Sequence, residues 1–138
     1  MEYWLLKTEP EEYSFADLEK EGRAVWDGVK NNWALKHLRS MKSGDRALIY
    51  HSGKEKAIAG IAEIVSAPYP DPVLGDIKRT VIDVRAVRKF SGDIRLKKIK
   101  GDPFFKDFLL VKFTRLSVMP VAPKFWRKLL SMEGLEDL

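Results

Sequence analysis

The sequence predicts an α+β domain whose sheet curls into a small barrel flanked by short helices. Three observations carry this. The elements read strand, two helices, several short strands, short helix, strand region, helix. Tight turns separate the middle strands. No stretch supplies the long crossovers that a doubly wound parallel sheet needs. At 138 residues the chain has the length of one domain, 1–138, and a domain of that size buries roughly two thirds of its unfolded surface without staples.

Glu2–Lys7 is aromatic and aliphatic with little alternation, which predicts a buried strand ended by Thr8-Glu9-Pro10. Ser14 caps a short helix with Asp17 as capping-box partner, and Gly22 stops it. Asn31 or Asn32 caps a second helix, roughly Trp33 to Met41, with Leu35, Leu38 and Met41 on one face. Arg46–His51 and Ala57–Ala67 read as strands, and Gly60 inside the second signals a bulge or a close backbone approach. Pro68, Pro70 and Pro72 make Ala67–Gly75 an irregular loop. Thr80–Val87 alternates as a strand. Asp102-Pro103 opens a short helix through Phe108, Leu109–Val121 reads as a bent or broken strand region, and Pro123 starts a final helix that Gly134 ends.

Hydrophobic residues make up 45% and charged residues 33%, the composition of a globular protein. There is no cysteine, which removes disulfides, thiolate nucleophiles and Cys-based metal sites and fits a reducing cytoplasm. No apolar run approaches the ~18 residues that span a membrane. The net charge of +5 is compatible with a polyanionic partner. Arg85, Arg88, Lys89, Arg95, Lys97, Lys98 and Lys100 face one acid, Asp93, between positions 85 and 100. The strip reads as a phosphate-contacting surface or as a solvated strand edge whose lysines discourage aggregation.

The catalytic constellations are poorly filled. Only His37 and His51 can donate imidazole, on different elements, so no metal site and no cofactor is expected. His51-Ser52 are strand-end neighbours whose side chains point to opposite faces. Pro70-Asp71 with Asp76-Ile77-Lys78 mimics a nuclease metal constellation, but lies in one proline-rich loop. Of the four tryptophans, Trp126 and Trp4 read as core and Trp33 as core or rim. Trp26 precedes the turn signal Asp27-Gly28, which places it at the mouth of an element, either as a ligand-stacking face or as a cap on the barrel.

Two blocks dominate: Trp4-Leu5-Leu6-Lys7-Thr8-Glu9-Pro10 and Trp26-Asp27-Gly28-Val29-Lys30-Asn31. With Tyr50-His51-Ser52, Tyr69-Pro70-Asp71-Pro72 and Arg115-Leu116-Ser117-Val118-Met119-Pro120-Val121, they resemble the EVE domain family from Tyr3 to about Leu130. The resemblance implies a PUA-like pseudobarrel, related to YTH domains, and a non-catalytic reader of modified bases, chiefly modified cytosines in DNA. It implies a nucleic-acid partner, and for some members a nuclease. By that resemblance Trp26 is a cage wall. Lys7, Thr8 and Glu9 line the rim, Val29 and Asn31 close the other side, and His51 and Ser52 lie at the floor. Arg85, Arg88, Lys89, Arg95, Lys97 and Lys98 are then the phosphate contacts. Two alternatives are an RNA-binding PUA-like module and an enzyme using His51, Glu9 or Asp27 as acid or base. The chain departs from the family pattern in two places. Where the family usually reads R-N-Y-Q-A-R-N, this chain has Lys30-Asn31-Asn32-Trp33-Ala34-Leu35-Lys36, and the usual insertion after Pro72 is missing.

Overall fold

A computed structural model describes residues 1–136 and 138. Strand β1 (Tyr3–Thr8) is an interior strand of the sheet. It pairs in parallel with β3 (Arg46–His51) and antiparallel with β7 (Val118–Pro120). Both edges of β1 are thus paired, and the successive side chains Trp4, Leu5 and Leu6 are buried on both faces of the sheet, which explains the unbroken apolar run. The sheet order is β2-β6-β4-β3-β1-β7, where β2 is Arg23–Trp26, β4 is Ala57–Ile64 and β6 is Asp76–Lys89. Strand β5 (Tyr69–Asp71) adds to β6. The long β6, together with register shifts in two of its pairings and in the neighbouring β3–β4 pairing, curls the sheet into a half-barrel.

The helix signals are realised in detail. Ser14 and Asp17 exchange hydrogen bonds at the start of α1 (Phe15–Glu21), and Gly22, at φ 80°, ends it. These bonds hold the Asp17 carboxyl below the usual carboxylate range. Asn31 Oδ1 accepts from Ala34 N–H at 3.0 Å and caps α2 (Asn32–Arg39). The last long helix, α5 (Pro123–Met132), buries Trp126. That indole stacks on Tyr3 with ring centroids 4.3 Å apart. Gly60 answers the close-approach reading: a Cβ there would lie 2.5 Å from the Arg88 carbonyl oxygen and 2.6 Å from the Phe15 ring. The buried Asp45 carboxylate accepts from Trp4 Nε1, Glu2 N–H and Lys42 N–H, each at 3.0 Å. It thereby ties β1 to the turn before β3.

Six expectations need correction. A long crossover is present after all, residues 9–45 joining β1 to its parallel partner β3, and the strand expected over Thr80–Val87 runs from Asp76 to Lys89 because β5 and β4 pair at its two ends. The loop Ala67–Gly75 contains β5, where Pro70 is tolerated because the strand pairs on one side only. The strand from Ala57 stops at Ile64 rather than Ala67, because Ser66 Oγ accepts the Asp83 N–H that would continue the ladder. Leu109–Val121 is mostly not a strand. Leu109–Lys112 forms one helical turn, α4, whose N–H groups return to the Phe108 and Leu109 carbonyls, and only Val118–Pro120 is extended. A short apolar run does not by itself tell a buried strand from a helical turn. Pro103–Phe105 is a 3₁₀ turn shorter than the helix expected through Phe108, capped by Asp102 as expected. Two short elements went unforeseen: β2, and α3 (Leu96–Lys100), which buries Ile99 alone.

Candidate functional site

Strand β1 leaves the core at Lys7, the chain turns through Pro10 to Tyr13, and α1 leads into β2, which returns to end at Trp26. This path brackets a hollow of about 520 Å³. It gathers Lys7, Thr8, Glu9, Tyr13, Glu21 and Trp26, with Glu12 and Asp27 on its rim. Trp26 forms one wall with most of its ring packed into the core, 7% exposed. The Tyr13 ring meets it edge-on, at 6.3 Å and 82°. The indole is thus neither free in solvent nor sealed: its remaining surface borders an open space of ligand size.

The polar groups around the hollow are tightly placed. Thr8 Oγ1 donates to the Tyr13 carbonyl at 2.6 Å, fixing the turn against β1. Lys7 Nζ donates to the Thr114 carbonyl at 2.9 Å and lies 5.9 Å from the Tyr50 ring centroid. Burial holds this ammonium below the ordinary lysine range. The Tyr13 hydroxyl is buried without a hydrogen-bond partner of good geometry. Burial first, then the neighbouring Glu21 carboxylate, pushes the phenol well above its ordinary range, so it stays protonated at neutral pH. Four carboxylates (Glu9, Glu12, Glu21 and Asp27) border the hollow against the single ammonium of Lys7. A phosphate is repelled from such a rim, whereas a ring bearing an amino group finds acceptors there.

The other predicted residues lie around this hollow rather than in it. Val29 is buried in the core. Asn31 spends its carbonyl oxygen on the α2 cap and borders a second hollow with Trp33 and Phe113. His51 is buried beneath α1, where Nε2 accepts from Phe15 N–H at 2.9 Å. That bond puts the ring proton on Nδ1, 3.0 Å from Glu55 Oε2. Ser52 Oγ donates to the Thr8 carbonyl at 3.3 Å and borders a shallow cleft with Lys7 and Thr114. Tyr13, Glu12 and Glu21 escaped sequence reasoning. The signal that could have found them was the capped helix lying between the two motif blocks, because its ends must face the gap those blocks leave.

The basic strip is divided. Arg85 is ion-paired to Glu63, which also holds Arg46 at 3.2 Å. Arg88 and Lys89 sit at the end of β6. Arg95, Lys97 and Lys98 belong to the α3 turn, where Arg95 and Lys97 border a further hollow with Lys56 and Lys100. Among the described residues no group of three or more His, Cys, Asp or Glu side chains could hold a metal ion, and no helix is long and apolar enough to cross a membrane. The Asp71 carboxylate of the nuclease-like constellation is taken by the Val73 and Leu74 N–H groups.

A curled mixed sheet with short helices is the architecture of PUA-like domains. Within that class the chain belongs to the EVE domain family, whose model matches residues 2–132. Thymocyte nuclear protein 1 of Mus musculus is 33% identical over 169 aligned positions, covering 97% of this chain and 74% of that protein. A crystal structure of a protein from Agrobacterium tumefaciens is similar at a TM-score of 0.95 and 34% identity, covering 100% of this chain and 97% of that one. Human THYN1 protein, crystallised in complex with DNA containing 5-methylcytosine, is similar at a TM-score of 0.88 and 32% identity, covering 99% of this chain and 100% of that one.

Proposed function

We propose that this chain is a non-catalytic nucleic-acid-binding domain that reads a modified base, a modified cytosine in DNA, in the hollow beside Trp26. The observation that carries this reading is the composition of that hollow: an indole wall and an edge-on phenol, ringed by carboxylates, in a space of about 520 Å³. A base swung out of the stack loses a few kcal/mol of stacking and pairing, and contact with an aromatic face returns ~1–3 kcal/mol of it. Glu and Asp oxygens on the rim accept from the exocyclic amino group of cytosine. A methyl group buried against the indole contributes about 0.8 kcal/mol, so preference for a methylated base is a few-fold.

Phosphates then belong outside the acidic rim, on Arg88, Lys89, Arg95, Lys97 and Lys98, with Arg85 contributing less because Glu63 already neutralises it. The chemistry of the site favours binding over catalysis. His51 is held by the Phe15 N–H, and no nucleophile–base relay reaches the hollow. Strand cleavage, where it accompanies reading, falls to a separate nuclease. The cysteine-free sequence suits work in the reducing cytoplasm.

The test is fluorescence-anisotropy binding of matched oligonucleotides, with and without 5-methylcytosine, as DNA and as RNA. Trp26→Ala abolishes the preference for the modified strand, and Trp26→Phe retains part of it. A Trp26→Ala protein that is folded by circular dichroism and keeps the preference refutes the pocket. Tighter binding of the RNA series assigns the domain to RNA instead.

A further inference from the structure

Trp33 is exposed, at 42%. An exposed indole beside an exposed phenyl is unusual for a surface with no partner. Phe113, 39% exposed, meets Trp33 edge-on at 5.0 Å, and the two border a hollow of about 350 Å³. Its other walls include Lys112, Arg115 and Asn31, and none of its lining residues is acidic. Asn31 Oδ1 is engaged by the α2 cap, which leaves the NH₂ group as this side chain's free polar group beside the hollow. The two hollows therefore have opposite electrostatic character: the Trp26 hollow is ringed by carboxylates, the Trp33 hollow by cations and amide donors. They are also joined. Lys7 borders the first, Thr114 borders the second, and the Lys7 Nζ bond to the Thr114 carbonyl links them across a shallow cleft that both residues line.

We propose that the Trp33–Phe113 hollow is a second nucleotide subsite, which stacks a base near the one held beside Trp26 on the same strand and takes its phosphate on Lys112 and Arg115. The inference rests on the proposed reading of the Trp26 hollow for the identity of the polymer. Aromatic faces with adjacent cations bind a nucleotide regardless of sequence, because every base has a π-face and every nucleotide a phosphate. The acidic first hollow selects and the basic second one grips. A lone aromatic patch would suit a protein partner equally well. The two cations, and the direct link to the base-sized first hollow, favour a continuous nucleic-acid strand.

The experiment uses the full chain and a DNA duplex carrying one 5-methylcytosine, with single abasic nucleotides placed in turn at each of the three positions on either side of it. Trp33→Ala, Phe113→Ala and Trp33→Phe are compared with wild type and with Trp26→Ala. Trp33 and Phe113 are themselves exposed, at 42% and 39%, so a thermal midpoint near that of the wild type checks that each variant is folded. Trp33→Ala and Phe113→Ala each weaken binding about tenfold for methylated and plain duplex alike, and Trp33→Phe restores most of it. One abasic position weakens wild-type binding by a similar factor and has no further effect in Trp33→Ala, the sign that base and indole are partners. Wild-type affinity in both alanine variants, or an abasic penalty that persists undiminished in Trp33→Ala, overturns the subsite. Loss of the methyl preference in Trp33→Ala also overturns it, because the indole then belongs to the reading pocket. Failure of Trp26→Ala to change the preference defeats the first pocket alone, since the Trp33 test reads total affinity. A wild-type protein that binds none of the duplexes defeats both.

Discussion

Asp45→Ala should be strongly destabilising while leaving every pocket-lining side chain intact. The carboxylate is 3% exposed and accepts three hydrogen bonds of 3.0 Å, from Trp4 Nε1, Glu2 N–H and Lys42 N–H. Hydrogen bonds to a charged group contribute about 1.5–3 kcal/mol each when buried, and removing the acceptor strands the donors. Taking the lower figure for three bonds gives about 4.5 kcal/mol. Glu2 and Lys42 lie near the surface, where water replaces part of what is lost, which reduces the cost to about 3 kcal/mol. For a domain between the size classes usually tabulated, that corresponds to a fall of about 10 °C in thermal midpoint. Urea denaturation followed by tryptophan fluorescence and far-ultraviolet circular dichroism measures it. The denaturant slope should stay constant, because the same surface is exposed on unfolding. A loss below about 1 kcal/mol would refute the assignment of Asp45 as the pin that holds β1 to the turn before β3.

Gly60→Ala drives a methyl group into the Arg88 carbonyl and the Phe15 ring, so α1 must shift; urea titration should report a loss of about 2 kcal/mol, and wild-type stability would remove the close-approach account. The Tyr69 phenol donates to the Asp83 carboxylate, and that bond above all, with burial, pushes its pKa up to about 12. Because the folded value is raised, the stability this contact contributes is fully present below pH 10 and is lost as the pH rises through about 12. Asp83→Asn should return one phenol toward its ordinary range in a spectrophotometric titration, and an unchanged titration curve would contradict the assignment.

Much of the fold was legible because its signals are local. Ser14 with Asp17, Asn31, Asp102-Pro103 and Gly22 each act within four residues, and each does in the structure what such residues do in isolation. What stayed hidden depends on distant partners. Arg23-Ala24-Val25-Trp26 is a strand only because β6 lies beside it, and Leu109–Lys112 turns helical because Phe108 and Leu110 are drawn into the core. Trp26, Lys7, Thr8 and Glu9 were foreseeable as a group from the two motif blocks, and the structure brings them around one space. Asn31 was read toward the same space, but helix capping claims its oxygen and the turn at Gly28 aims it elsewhere. Trp33 was left between core and rim, because a helix N-terminus in sequence does not reveal which neighbour covers its first turn.

The interior position of β1 has a further consequence for how the domain is made. One of its neighbours, β3, lies about forty residues downstream, and the other, β7, contributes Met119 opposite Leu5. During synthesis, the strand that ends in Lys7 and Thr8 waits with a bare hydrogen-bonding edge until Val118–Pro120 has emerged. A chain cut short before Val118 leaves the Ser117–Val121 zipper on β1 unmade, so such a fragment is expected to enter the quality-control pathways of the cell before it ever meets nucleic acid.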